Sequence, residues 1–358
     1  MSRITVLGGG NTAFSMAAKL TLEGHEVLLW EHPDFANNIA PIQDSLAIEL
    51  IGAEHSGLAK LACVTTDAAE ALEWAEVLLC SVPSYAHQAF ADQLIPHLQS
   101  RHLLILLPGN LGSLTFVRQI RESGRSDVVI AESDTAPYVC RKTGPAQATI
   151  WGTVSRLGIG VFPASQTAEV VAELEPLFPG VKAYEHVLTA GLSAMNPVVH
   201  PPGILLNAGR IERSRGEFWF YDEGVTPSVA KVIEALDRER LAIGQALGLV
   251  LSPASVGFHE AGFGPSGDLW SVINGSRMLT ALRAPGSLET RWLTEDVPFG
   301  LATWSDIAES VGVDTPIIDG TIELASALVG CDFRSQRRTL EDLGIHGLQR
   351  QVLIAYLQ

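Results

Sequence analysis

Cysteine is scarce in this chain, and so is positive charge. The four cysteines among 358 residues (Cys63, Cys80, Cys140 and Cys331) lie far apart without a CxxC pair, which argues against a disulfide framework and gives no metal site. Lysine and arginine total 24 against 40 aspartates and glutamates, a formal net charge of −16. That balance speaks against nucleic acid or an anionic membrane surface as partner, although a small anionic substrate needs just one local cation. There is no uncharged apolar run of roughly 18 residues to span a bilayer, and a strand pattern begins at Ile4 with no signal-peptide core ahead of it. The expectation is a cytoplasmic protein. Repeats and low-complexity tracts are missing too, and with 47% apolar residues the chain is rich enough to fill two cores.

What is present begins at once. Ile4 to Leu7 is a short apolar run suited to a buried strand, followed by Gly8, Gly9 and Gly10 and then by a helical pattern opening at Asn11-Thr12-Ala13. The spacing Gly8-x-Gly10-x-x-Ala13 is a dinucleotide fingerprint. Gly8 permits the tight turn, Gly10 lets a pyrophosphate approach the backbone, and Ala13 keeps the helix close to the strand. The helix N-terminus offers N–H groups and partial positive charge to phosphate. A second strand, Val27–Trp30, ends at Glu31, where a carboxylate is placed to bind a ribose 2′-hydroxyl and repel a 2′-phosphate. The expected cofactor is NAD, with NADP as the alternative. A solvated strand end is the bland reading of Glu31.

Further strand patterns end at Ser81-Val82-Pro83, at Pro108-Gly109-Asn110 and at Glu132-Ser133. Strands alternating with helices predict a Rossmann-type, doubly wound parallel sheet, with ligands beyond the carboxyl ends of its strands. All three strand ends should therefore border the cofactor crevice. Thr149–Gly152 and Leu157–Phe162 read as shorter strands that close the domain. From about His186 the signal is mainly helical. Thr226-Pro227 opens a long helix with Thr as N-cap, its apolar stripe includes Val229, Ile233, Leu236, Ile243 and Leu247, and Gly248 ends it. The predicted domains are 1–185, binding the nucleotide, and 186–358, all-helical, with a second substrate in a cleft between them.

A nicotinamide enzyme must supply orientation and a proton donor or acceptor. Of the ten histidines, His200 stands out in Asn196-Pro197-Val198-Val199-His200-Pro201-Pro202-Gly203. The prolines predict a helix break at His200, with a new helix starting at Pro201 or Pro202 and the imidazole near its N-terminus. A buried structural histidine is the alternative. The segment Glu289–Gly300 mixes charges and aromatics: Arg291 offers a fork for a carboxylate, and Asp296 offers a partner to orient a histidine. An ordinary surface loop would look similar.

The chain resembles the octopine/nopaline (opine) dehydrogenase family, and most of all its bacterial branch acting on N-(carboxyethyl)amino acids. The resemblance runs from Leu7–Asn11 through Tyr138–Arg141, His200–Arg210, Glu223–Val229, Thr290-Arg291 and Glu295–Val297 to Asp332–Arg334 and Arg338–Glu341. It implies that His200 and Asp296 form a catalytic dyad and that Arg291 holds a substrate carboxylate. Asn207, within the resembling stretch, and Asn110 are expected as further substrate contacts. Trp292–Thr294, Pro298-Phe299 and the aromatic run Phe218–Tyr221 depart from the family pattern or bear on specificity.

The expected activity is a reversible, NAD-dependent reductive condensation of a 2-oxo acid, pyruvate by preference, with the amine of an amino acid. Monomer and homodimer both stay open. A ketone reductase of the ketopantoate reductase or glycerol-3-phosphate dehydrogenase type would share the first domain but use a lysine as acid, and Lys231 is the single lysine after Tyr184. A non-catalytic dinucleotide sensor would need no proton relay.

Overall fold

In a computed structural model, which describes residues 1–52 and 54–358, the chain forms two compact units, Met1–Val187 with Leu357–Gln358, and Leu188–Tyr356. The described residues of the first unit form twelve strands: β1 Arg3–Leu7, β2 Glu26–Trp30, β3 Ala47–Gly52, β4 Gly57–Lys60, β5 Cys63–Thr65, β6 Val77–Cys80, β7 Leu103–Leu106, β8 Val129–Ser133, β9 Tyr138–Gly144, β10 Gln147–Thr153, β11 Leu157–Phe162 and β12 Val181–Ala183. Eight of them form one sheet in the order β12-β11-β8-β7-β6-β1-β2-β5, parallel except where β11 runs against β8. The central strands β6 and β7 consist almost wholly of Val, Leu and Ile and are buried on both faces, as helix-covered sheets require.

The remaining strands make a second sheet, β4-β3-β10-β9, that the sequence pattern does not announce. The segment Thr149–Gly152 belongs to this second sheet. It lies in β10, parallel to β3 and antiparallel to β9. The helix Asn11–Leu22 packs against strands of both sheets. That explains why every residue from Ala13 to Leu20 is buried: a helix covered on all sides has no polar face to show.

The second unit is built from helices. The helix Pro227–Leu247 begins at Thr226, whose hydroxyl accepts the Val229 N–H, and ends at Gly248 in the left-handed region. Its stripe is buried as the periodicity predicts. Beside it Asp237 and Arg240 are buried as well: Arg240 donates to Asp237, to the Leu192 carbonyl and to the Ser252 carbonyl, tying the helix to two other segments. Among the described residues no helix is long and apolar enough to cross a membrane.

Candidate active site

Two sets of residues matter, one in each unit. In the first unit, Gly8 has φ +112°, and a Cβ there would fall 2.7 Å from Val82 and 2.9 Å from the Ser81 carbonyl oxygen. The fingerprint turn and the Ser81-Val82-Pro83 strand end thus meet at the carboxyl edge of the sheet, and Gly8 is glycine for want of space. Gly10 is exposed, and a Cβ there would meet nothing within 4 Å. The helix after it has no side-chain cap and no acid in its first turn, so its N–H groups suit a pyrophosphate. Asn11 accepts the Lys142 N–H through Oδ1 at 2.9 Å, and Thr12 is half-buried.

Glu31 is no solvated strand end. It is 2% exposed, accepts from the His32 N–H at 2.8 Å and from Asn38 Nδ2 at 2.9 Å, and is hydrogen-bonded to the backbone of Gly9. Burial pushes its carboxyl pKa up, and these donors pull it back. Glu132 lies near the end of β8. It is fully buried and accepts the N–H groups of Leu111 and Ser113 at 3.0 Å, closing the start of the helix Gly112–Glu122 from within. Asn110 adopts φ +47° and donates to Ser84 Oγ at 3.0 Å.

In the second unit the helix Asn196–Leu205 does not break at His200. Pro201 and Pro202 lie inside it, and His200 is its fifth residue, away from any helix start. The local preference is overridden because Pro197–Ile204 is buried throughout. Glycine allows the close packing: a Cβ on Gly203 would fall 2.5 Å from the Phe220 ring, and one on Gly300 would collide with Pro197.

His200 is buried, with Nδ1 2.7 Å from Asp296 Oδ2 and Nε2 2.9 Å from the Tyr221 hydroxyl. The indole of Trp292 stacks on its ring at 4.3 Å and 7° and meets Phe220 edge-on at 4.6 Å. Asp296 lies just before the π-helical turn Val297–Ala302, and Tyr221 lies within another, Phe220–Gly224. Such turns re-aim side chains and recur at functional sites. Burial pushes the Asp296 carboxyl pKa up, while the hydrogen bond and charge of His200, and the charge of Arg291, pull it down. The Tyr221 phenol is held above its ordinary range by burial and then by the Asp296 charge.

Arg291 starts the short helix Arg291–Thr294; its side chain is 54% exposed and its Nε donates to Glu295 at 2.6 Å. Asn207 lies at the start of the helix Ala208–Ser214. Its Nδ2 donates to the carbonyls of Gly203 (2.9 Å) and Gly224 (3.1 Å), bracing the His200 helix against the Tyr221 turn. Lys231 is exposed on the long helix. Sequence reasoning passed over Tyr221 and Trp292 as partners of His200; the signal for both was an aromatic beside a charged, family-like motif.

A fingerprint sheet in one unit and a buried imidazole–carboxylate pair in a helical unit define a nicotinamide-linked dehydrogenase. Comparison with known proteins narrows this. Residues 183–329 match the family model for the NAD/NADP octopine/nopaline dehydrogenase alpha-helical domain, and residues 3–121 match that for the NAD-dependent glycerol-3-phosphate dehydrogenase N-terminus. The chain is 35% identical to an opine dehydrogenase of Arthrobacter sp. (96% of this chain, 95% of the relative) and 30% identical to a vitopine synthase of Allorhizobium ampelinum (97% and 96%). A solved octopine dehydrogenase with NADH and L-arginine superposes with a TM-score of 0.81 at 21% identity (99% of this chain, 98% of that one). This chain belongs to the opine dehydrogenase family. It is an oxidoreductase acting on CH–NH donors with NAD(P), and its reverse reaction is a reductive condensation.

Proposed function

We propose that His200 is the proton donor and acceptor of this reaction, that Asp296 orients it, and that the substrates are pyruvate and the primary amine of an amino acid. The observation that carries the reading is the buried pair itself, with His200 Nδ1 2.7 Å from Asp296 Oδ2. A carboxylate oxygen can only accept, so Nδ1 carries a proton and the neutral ring presents its lone pair at Nε2. In the direction of oxidation that lone pair receives the proton of a secondary amine, and the resulting imidazolium lies against Asp296. In the direction of condensation the imidazolium returns the proton to the imine nitrogen.

Arg291, with Nε fixed by Glu295, offers its cation to the 2-oxo acid carboxylate. Asn110 and Asn207 offer further polar contacts to the organic substrates. Gly8, Gly10, Asn11, Thr12, Ala13, Glu31, Ser81, Val82 and Pro83 would hold NAD, which when bound supplies or takes the hydride. Glu31 keeps the glycine loop in place through Gly9 and discriminates against a 2′-phosphate. The first domain then serves the nucleotide and the second the organic substrates. A cytoplasmic setting fits the four unpaired thiols.

The test is consumption of NADH with pyruvate alone, with an amino acid alone, and with both across a panel of amines. Loss of NADH with both organic substrates together is expected. Loss with pyruvate alone would make the protein a ketone reductase.

A further inference from the structure

Both ring nitrogens of His200 are engaged within the second unit, and the second partner has no role in the chemistry given so far. Nδ1 belongs to Asp296 and Nε2 to the hydroxyl of Tyr221 at 2.9 Å. Since Nδ1–H points at a carboxylate, Nε2 is the ring atom left to exchange a proton with substrate. In the neutral ring Nε2 accepts, so the Tyr221 O–H donates into it. The phenol therefore stands at the one ring position that matters for catalysis.

Tyr221 is also fixed there. It is 4% exposed, and its ring meets Phe220 edge-on at 5.0 Å and 88°. Its π-helical turn is held by the Val225 N–H on the Phe220 carbonyl at 3.1 Å and by the Phe220 N–H on the Leu282 carbonyl at 2.9 Å. Asn207 ties the end of the same turn to the His200 helix. A substrate amine reaching Nε2 directly would have to break the Tyr221 hydrogen bond and move a buried ring out of this packing.

We propose that Tyr221 is a third catalytic residue, and that the proton travels between the substrate nitrogen and His200 Nε2 through its hydroxyl oxygen. The proposal rests on the reading of His200 and Asp296 given above. In oxidation the substrate N–H bond breaks, its proton joins the Tyr221 oxygen, and the hydroxyl proton already there passes to Nε2. The electrons of the broken N–H bond form the second bond of C=N as the adjacent carbon gives up its hydride to the oxidised nicotinamide. The phenol is neutral before and after, and the charge gained by the imidazole is balanced by Asp296. Burial and the nearby carboxylate oppose a free phenolate, which fits a hydroxyl that passes a proton without keeping the charge.

Tyr221→Phe keeps the ring and removes the hydroxyl alone. In the full-length enzyme, kcat is expected to fall about 10²-fold in both directions, with NADH affinity and melting temperature near wild type. Nitrogen NMR of the ligand-free protein gives an independent readout: the Nε2 signal of His200 should move in the variant, with the Nδ1 signal staying in place. A kcat within about twofold of wild type, or above it, would overturn the relay and make the hydroxyl a gate; an unmoved Nε2 signal would also overturn it. Should the Phe variant fail to fold, a ring-fluorinated tyrosine at 221 keeps the hydroxyl and makes it more acidic. The relay then predicts an altered solvent isotope effect on kcat, and an unchanged effect refutes it. An active Tyr221→Phe beside an inactive His200→Ala removes the relay alone, whereas activity in both removes the dyad.

Discussion

Replacing Asp296 by asparagine exchanges one oxygen for an NH2 group and removes a charge with almost no change of shape. Asp296 is 5% exposed and accepts from His200 at 2.7 Å, so the substitution acts where solvent screens poorly. With charge centres about 4 Å apart and an effective dielectric constant near 20, the lost attraction for the imidazolium is about 4 kcal/mol. If half of that is expressed in the transition state for proton transfer, the rate falls by roughly 10- to 100-fold; the full amount gives roughly 10³-fold. The asparagine NH2 can also face Nδ1 and force the ring into the wrong tautomer, which pushes the loss to the upper end. His200→Ala removes the relay itself and should cost roughly 10²–10⁴ in turnover. The two residues act as one unit, so the double variant should be little worse than His200→Ala alone. The assay is NADH consumption with saturating pyruvate and amine, with NADH binding followed separately by nicotinamide fluorescence. Losses that multiply in the double variant would show independent roles, and a fully active His200→Ala would return this histidine to a structural part.

Three other outcomes are expected. Arg291→Leu should raise the KM for the 2-oxo acid by about 10- to 100-fold, the loss of a charge-assisted contact of about 1.5–3 kcal/mol, with NADH affinity unchanged; a change of less than about threefold would leave Arg291 a surface residue paired to Glu295. Wild type should prefer NADH over NADPH, and Glu31→Ser should shift the preference toward NADPH, because Lys142, which feels the Glu31 charge, would then lack its counter-charge; a wild type that already prefers NADPH contradicts the role given to Glu31. Asp134 packs against Tyr184 and Arg156, and its desolvation there raises its carboxyl pKa from 3.8 to about 6. The native state holds that proton more tightly than the unfolded chain, so its stabilising contribution is full below about pH 3.8 and is lost as pH rises through about 6, an effect of up to about 3 kcal/mol. Asp134→Asn should therefore gain melting temperature relative to wild type as pH is raised through that window, and parallel curves would refute the assignment.

The sequence by itself determined what rests on short-range rules. The glycine spacing, the buried runs of β1 and β2, and the Thr226 cap with its terminal Gly248 each express a constraint that a few neighbouring residues satisfy among themselves. Gly8 could be read as obligatory before the collision with Val82 was seen, because a tight turn into a helix has few solutions. The dyad was legible as two separate residues, joined through the family resemblance, since nothing local links positions 96 residues apart.

Tertiary structure alone decided the rest. The second sheet arises because β3 finds β10 across most of the first unit, a pairing with no local signature. The prolines at 201 and 202 signal a break, yet burial along the whole helix outweighs that local preference, and His200 ends up in mid-helix rather than at a start. Glu31, a strand-end carboxylate by sequence, is buried because the glycine loop and Asn38 fold over it. Tyr221 became a partner of His200 only when a π-helical turn and a glycine that admits Phe220 brought its hydroxyl to Nε2. Contacts of that kind depend on how distant elements fill each other's space, and no periodicity in the chain encodes them.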